Sequence, residues 1–355
     1  MAVSIGVDSH KSTLSAAAVD ELGRVVGVEE FANDPAGHRE LARWADALEV
    51  ELCFGIECSG SYGKALARSL IARGADVFEV PANLAHREAR RQGRGKSDSI
   101  DAVAIARVVA REERLPRPRV DQAHEDLKLL SDHLDQLKRL RTQLSNRIHK
   151  ELTVARPGYE NRIGNLSAER HRKGVMTLLR GDSSVRAELV RRNVRELRRI
   201  DAEIKELKVS LKGLVAATGT SLTSQCGVGP TIAAKLLGEV GDIRNIRSKG
   251  AFARLSGTAP IPASSGKVVR HRLSRHGNRK LNHALHYIAV TRCRLDPETK
   301  VFMARKLAEG KSKKEAMRCL KRHLASRIYK AMVADALRPT ELAASPALGS
   351  VLTSV

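Results

Sequence analysis

Over residues 1 to about 115 the apolar positions fall into short runs whose period changes along the chain. Val3-Ser4-Ile5-Gly6-Val7-Asp8 and Leu52-Cys53-Phe54-Gly55-Ile56-Glu57 are compact, glycine-containing runs that each close on a carboxylate, and they predict buried strands. Thr13 to Val19 and Arg24 to Phe31 flank Glu21-Leu22-Gly23, which predicts a hairpin after the first strand. Asn33-Asp34-Pro35 caps a helix that runs through Leu41, Trp44 and Leu48. A helix over Tyr62 to Arg73, a turn at Gly74, a strand over Ala75 to Val80 and a helix starting near Asp98 complete the segment.

Three strands followed by helix, strand, helix, strand, helix describe an antiparallel meander leading into βαβ units. That order is the ribonuclease H-like topology, so an α/β domain is expected over residues 1–118, closed by Pro116 and Pro118. The period then changes. Leu130, Leu134, Leu137, Leu144, Ile148 and Leu152 follow a near-heptad spacing, and Val185, Leu189, Val194, Leu197, Ile204, Leu207, Leu211 and Leu214 repeat it. Pro157-Gly158 and the loop around Gly164 break the two runs. A long coiled-coil hairpin, or a dimerising arm, is therefore expected over 119–217. A mainly helical domain is expected over 218–337, and a disordered tail over 338–355. Within the helical domain, Gly227-Val228-Gly229-Pro230 reads either as a helix-hairpin-helix turn that meets a phosphate or as a plain tight turn.

Charge narrows the function. The 355 residues hold 63 Lys and Arg against 40 Asp and Glu, a net charge of +23 and a pI of about 10.3. Such a surplus calls for a polyanionic partner, and nucleic acid is the expected one. No stretch approaches the roughly 18 apolar residues of a spanning helix, and the N-terminus passes directly into strand-like sequence, so no membrane and no signal peptide are expected. Five scattered cysteines without a CxxC pair argue against a disulfide framework and a zinc site, and for a cytoplasmic setting. Aromatics at 3% leave too few rings for base-stacking platforms, so the grip on nucleic acid is electrostatic and shape-based. Arg191, Arg192, Arg195, Arg198 and Arg199 on the second heptad run, and Arg270 to Lys280, are dense cationic stretches. A charge run of this kind serves either as a solvated face or as a contact to nucleic acid.

Candidate chemistry rests on carboxylates. Asp8 and Glu57 end core strands, while Asp98 and Asp101 stand three apart at a helix start in Lys96-Ser97-Asp98-Ser99-Ile100-Asp101-Ala102 and share a face. Singly, each has an ordinary reading as a turn residue, an N-cap or a helix-dipole partner. Together they form an all-oxygen set that suits Mg²⁺ or Mn²⁺, the ions of phosphodiester chemistry.

Gly6-Val7-Asp8-Ser9-His10-Lys11, Glu57-Cys58-Ser59-Gly60, Lys96 to Ala102, and Gly257-Thr258-Ala259-Pro260 through Ser265-Gly266 together resemble the DEDD-type transposases of bacterial insertion sequences, family 110, over about residues 2 to 335. The order and separation of these motifs carry the resemblance. It implies a RuvC-like N-terminal domain joined through a coiled coil to a C-terminal transposase domain. It further implies DNA recombination directed by a structured bridge RNA that pairs with donor and target DNA, by dimers that assemble into tetramers, in the cytoplasm at the nucleoid. Asp8, Glu57, Asp98 and Asp101 match the family's metal-binding acidic tetrad. Ser265 matches its nucleophile, with neighbouring Ser264 as the alternative. Around that serine, Arg270, Arg272, Arg275 and Lys280 are candidate phosphate ligands, and Lys96 is a further candidate contact to nucleic acid.

Two other classes compete. In a Holliday-junction resolvase-like nuclease, metal-activated water attacks and Ser265 is idle. A non-catalytic nucleic-acid binder has no use for four clustered carboxylates.

Overall fold

The computed structural model describes residues 2–48, 51–57, 59–91, 97–118, 121–263, 271–272, 274 and 276–338. The chain divides into two compact units, Met1–Gln122 and Ala123–Val355.

In the first unit, β1 (Ala2–Ser9), β2 (Thr13–Val19), β3 (Val25–Ala32), β4 (Glu51–Ile56) and β5 (Asp76–Glu79) form one sheet of order β3-β2-β1-β4-β5. The first three are antiparallel, and β4 and β5 run parallel to β1. This is the meander-then-βαβ arrangement predicted above. Alternation along the strands decides which side chains meet which helices. Val3, Ile5 and Val7 of β1 join Leu14, Phe54 and Ile56 against α1 (Pro35–Asp46) and α2 (Lys64–Ala72). On the opposite face lies α4 (Asp98–Arg111). A Cβ on Gly6 would lie 2.2 Å from the amide nitrogen of Ala106 and 2.3 Å from the carbonyl of Ala102, so only glycine lets this helix sit on the strand. Gly55 does the same on β4, where a Cβ would come within 2.2 Å of Val109. Asp8 and Glu57 each follow such a glycine by two positions and inherit its face.

One helix of this unit, α3 (Ala82–Arg91), is not foreseen by the apolar pattern. It buries only Ala85 and Glu88, and Arg111 holds the Glu88 carboxylate at 2.7 Å.

The second unit opens with α5 (Gln122–Ala155), α6 (Glu169–Leu178) and α7 (Val185–Ala217). Ion pairs at 2.9 Å join Glu151 to Arg186 and Asp201 to Arg141, and a 2.9 Å hydrogen bond joins His133 to Glu203, so α5 and α7 run antiparallel. Their heptad residues face each other within the chain: Ile148 and Leu152 meet Val190, Val194 and Leu197 at one end, and Leu134 and Leu137 meet Ile204 and Leu207 at the other. Gly164 lies in a loop, as expected, and between that loop and α7 comes α6, which the pattern does not foresee and which packs Val175 into the first of these clusters.

After a 3₁₀ turn at Ser221–Ser224 come α8 (Pro230–Val240), α9 (Lys249–Leu255), α10 (Arg279–Leu295), α11 (Pro297–Ala308) and α12 (Lys313–Ala336), with a two-stranded ribbon, β6 (Ile261–Pro262) and β7 (His271–Arg272). Leu236, Leu285 and Leu324 share a core with Leu127, Leu211 and Val215. The arm expected at 119–217 and the helices expected at 218–337 therefore have a common interior. Gly227 has φ +85° and packs against α10, where a Cβ would lie 3.1 Å from the Ile288 carbonyl. Its conformation serves helix packing. Among the described residues no helix is long and apolar enough to cross a membrane. From residue 339 on, the expected tail lies outside the described residues.

Candidate active site

Asp8 and Glu57 leave the C-terminal ends of adjacent parallel strands. Val7 pairs with Ile56, and the Glu57 amide donates to the Val7 carbonyl at 3.2 Å. Crevices at such strand ends are where open α/β sheets bind ligands. Asp98 is the first residue of α4, whose N-cap Ser97 accepts a hydrogen bond from the Ile100 amide, and Asp101 follows one turn later. The close contact at Gly6 holds this helix start beside Asp8.

Electrostatics tie the four acids together. Burial pushes the Asp8 carboxyl above the usual carboxylate range, Asp101 and Asp98 push it the same way, and His10 opposes them. Burial also raises Glu57, helped by Asp8 and Asp101 and opposed by His86 of α3. Asp8 and Glu57 thus feel neighbouring carboxylates as repulsion in a partly dehydrated site. His10 Nε2 lies 3.3 Å from Asp8 Oδ2 and 3.3 Å from Asp98 Oδ2. The ligand atoms of Asp8, His10 and Asp98 lie within 4.8 Å of one another, close enough for one ion. The donor set fits a hard divalent cation, because the oxygens match its preference and its charge removes the repulsion.

His10 and His86 are the site residues that sequence reasoning passed over. The alternation of Asp8 and His10 across Ser9 is a usable signal for the first. No pattern points to the second, because its helix is itself unforeseen.

Elsewhere the expected ligands separate. Arg272 is exposed on β7. Lys280 is bound to Asp132 at 2.5 Å and to Glu239 at 3.2 Å, and Glu239 also accepts from Asn278, the N-cap of α10. Its ammonium is committed to the packing of α5, α8 and α10. Lys96, Ser264, Ser265, Arg270 and Arg275 lie outside the described residues. On the arm, Arg191 and Arg195 pair with Glu188, Arg198 with Glu169, and Arg199 with Glu196. Much of that basic stretch is compensated within the chain.

Comparison with known proteins matches a DEDD-type IS110 transposase family model to residues 5–157 and a transposase model of the IS116/IS110/IS902 family to residues 219–304. The chain belongs to the IS110 family of insertion-sequence transposases. Among curated relatives, the 44.8 kDa protein of insertion element IS116 from Streptomyces clavuligerus is 26% identical over 90% of this chain and 91% of its own length. The 42 kDa protein of IS900 from Mycobacterium paratuberculosis is 22% identical over 89% and 92%. The 43.6 kDa protein of IS110 from Streptomyces coelicolor is 33% identical over 37% of this chain and 33% of its own. Among solved structures, T. thermophilus RuvC in complex with Holliday junction substrate aligns at a TM-score of 0.25 and 15% identity, covering 30% of this chain and 90% of that one. The first IS110 model spans all four acids and the second spans Ser264 and Ser265.

Proposed function

We propose that this IS110-family transposase cuts and rejoins DNA by attack of Ser265 on a phosphodiester, at a site where Asp8, Glu57, Asp98 and Asp101 hold Mg²⁺ or Mn²⁺. The observation that carries the reading is that Asp8 and Glu57, half-buried at the ends of β1 and β4, feel the carboxylates at the start of α4, where Asp98 comes within ligand distance of Asp8 and His10. A divalent ion bound there supplies positive charge to the phosphate as its bonds rearrange.

The chain's own groups do the rest. The Ser265 Oγ forms a bond to phosphorus while the bond from phosphorus to the leaving strand breaks. The serine proton passes to a neighbouring base, and the released strand end takes one up. Rejoining is the same exchange with a strand hydroxyl as nucleophile. His10, facing Asp8 and Asp98, either donates a proton to them or joins them as a nitrogen ligand. Arg272 supplies a phosphate contact on the serine side, with Arg270 and Arg275 in the same role, and Lys96 adds a separate contact to nucleic acid. Lys280 is left out of this set, because its charge is already met by Asp132 and Glu239. Guidance by a structured RNA, and assembly of dimers into tetramers on donor and target DNA in the cytoplasm at the nucleoid, belong to the same reading through the family.

Cleavage of DNA carrying the element's ends tests it. Wild-type protein should cut in Mg²⁺, whereas Asp8→Asn and Asp101→Asn should stay folded and not cut. Cutting by Asp8→Asn at the wild-type rate would overturn the assignment.

A further inference from the structure

Beside the β6–β7 ribbon the second unit holds a cavity of about 530 Å³. The turn Gly257 to Pro260 walls one side, Arg272 stands at the ribbon, and Arg318, Lys321 and Arg322 of α12 line the floor. That volume lies in the range of roughly 300–1,000 Å³ that accepts a small ligand.

Lys321 is the unusual member. It is 8% exposed, yet among the described residues its Nζ bonds only the neutral Oδ1 of Asn282, at 2.5 Å. Burial lowers its pKa, and no carboxylate offsets that effect. A buried ammonium without a counter-charge is costly, and folds retain one where an anion completes it. The geometry around it is built: Asn282 donates to the carbonyls of Ser256 and Gly257 at 2.8 and 3.1 Å, which aims its own oxygen at Lys321. The two acids on the cavity wall are met by cations other than Lys321 and Arg322, Glu315 lying 3.9 Å from Arg318. Glu309 pairs with Lys306 and Lys311, and Glu315 closes the capping box of α12 with Ser312. Arg322 donates to the Lys249 carbonyl at 3.2 Å, and no carboxylate among the described residues pairs with it.

We propose that this cavity is a phosphate pocket for a nucleic-acid strand, with Lys321, Arg322 and Arg272 as its ligands. The inference rests on the reading of the chain as an enzyme of nucleic-acid strands, and it adds a second anchoring point to it. A strand is favoured over a free anion by chain connectivity. Ser265 follows Pro260 by five positions, so it lies within about 18 Å of the cavity wall in any conformation. One strand with regularly spaced phosphates can occupy the cavity and reach the serine together.

The test is equilibrium binding of short labelled single strands, one of DNA and one of RNA, to the full chain between about 50 and 200 mM salt. Lys321→Met should weaken binding about tenfold and reduce the log–log salt slope by about 0.7, the share of one phosphate on a single strand. Lys321→Arg should keep the slope. Arg272→Gln, exposed and outside the core, should reproduce the loss even if Lys321→Met does not fold. The strand type that responds names the source of the phosphate. Unchanged affinity and slope in Lys321→Met and Arg272→Gln would overturn the pocket. Stabilisation by inorganic phosphate that depends on Lys321, with strand binding unaltered, would replace the strand with a free anion. A wild-type chain that binds neither strand would overturn this inference and the proposed function together.

Discussion

Asp8 and Glu57 bear the electrostatic strain of the site, and that strain is measurable. Burial is the largest cause of the upward shift in both, and neighbouring carboxylates add to it. A carboxyl with a raised pKa in the folded state stabilises the fold below its unfolded value, here 3.8 for Asp8 and 4.5 for Glu57, and loses that contribution as pH rises through the folded value. In metal-free buffer these two groups should therefore weaken the fold as the pH rises above about 4. Mg²⁺ competes with protons for the same oxygens, so its stabilising shift in Tm should be larger at pH 8 than at pH 5 and absent in Asp8→Asn. A shift of equal size at both pH values would place the ion elsewhere. At this scale the sequence is half legible. Carboxylates at the ends of apolar runs stand out because charge is rare there, whereas His10 and His86 gain meaning only from partners distant along the chain.

At the scale of elements, the repeated unit is a strand glycine followed two positions later by an acid. Gly6 and Gly55 admit α4, and Asp8 and Glu57 emerge just beyond the contact. Gly6→Ala would place a methyl 2.2 Å from the backbone of Ala106. It should destabilise the protein by about 3 kcal/mol in urea unfolding and should also abolish the Mg²⁺ response, since α4 carries Asp98 and Asp101. Loss of stability with the Mg²⁺ response intact would separate the helix contact from the site.

The five strands of the main sheet were readable to within a residue because short apolar runs bounded by turn formers mark them, even at β3, which has no fully buried residue. Helices α3 and α6 were not. The first buries one alanine and an arginine-held glutamate, and the second has no side-chain N-cap and a glycine, Gly174, inside it. The heptad pattern identified α5 and α7 but left their partner open, and the structure gives each to the other.

The whole molecule concentrates its charge unevenly. A surplus of +23 is consistent with a polyanion partner, yet the arm's arginines are largely spent on Glu188, Glu169 and Glu196. Basic composition alone therefore misplaces the contact surface, because helical i,i+3 and interhelical pairs consume charge that the sequence leaves apparently free. The acids belong to the first unit and Ser265 to the second, so the proposed reaction draws on both. If two copies share these groups, mixed oligomers of Asp8→Asn and Ser265→Ala should regain part of the strand exchange that each lacks alone. No recovery in verified mixed oligomers would confine the reaction to one copy.

The central claim, a serine joined to phosphate at a metal-dependent site, meets its most direct test in trapping the protein on cleaved DNA. End-labelled DNA bearing the element's ends, quenched during reaction in Mg²⁺ and run under denaturing conditions, should yield a covalent protein–DNA band. Mass spectrometry should locate the phosphate on Ser265, or on Ser264 if the neighbour is used. Asp8→Asn should give neither band nor cleavage. Normal cleavage by a Ser264→Ala, Ser265→Ala double variant, with free strand ends and no adduct, would make water the nucleophile and contradict the account.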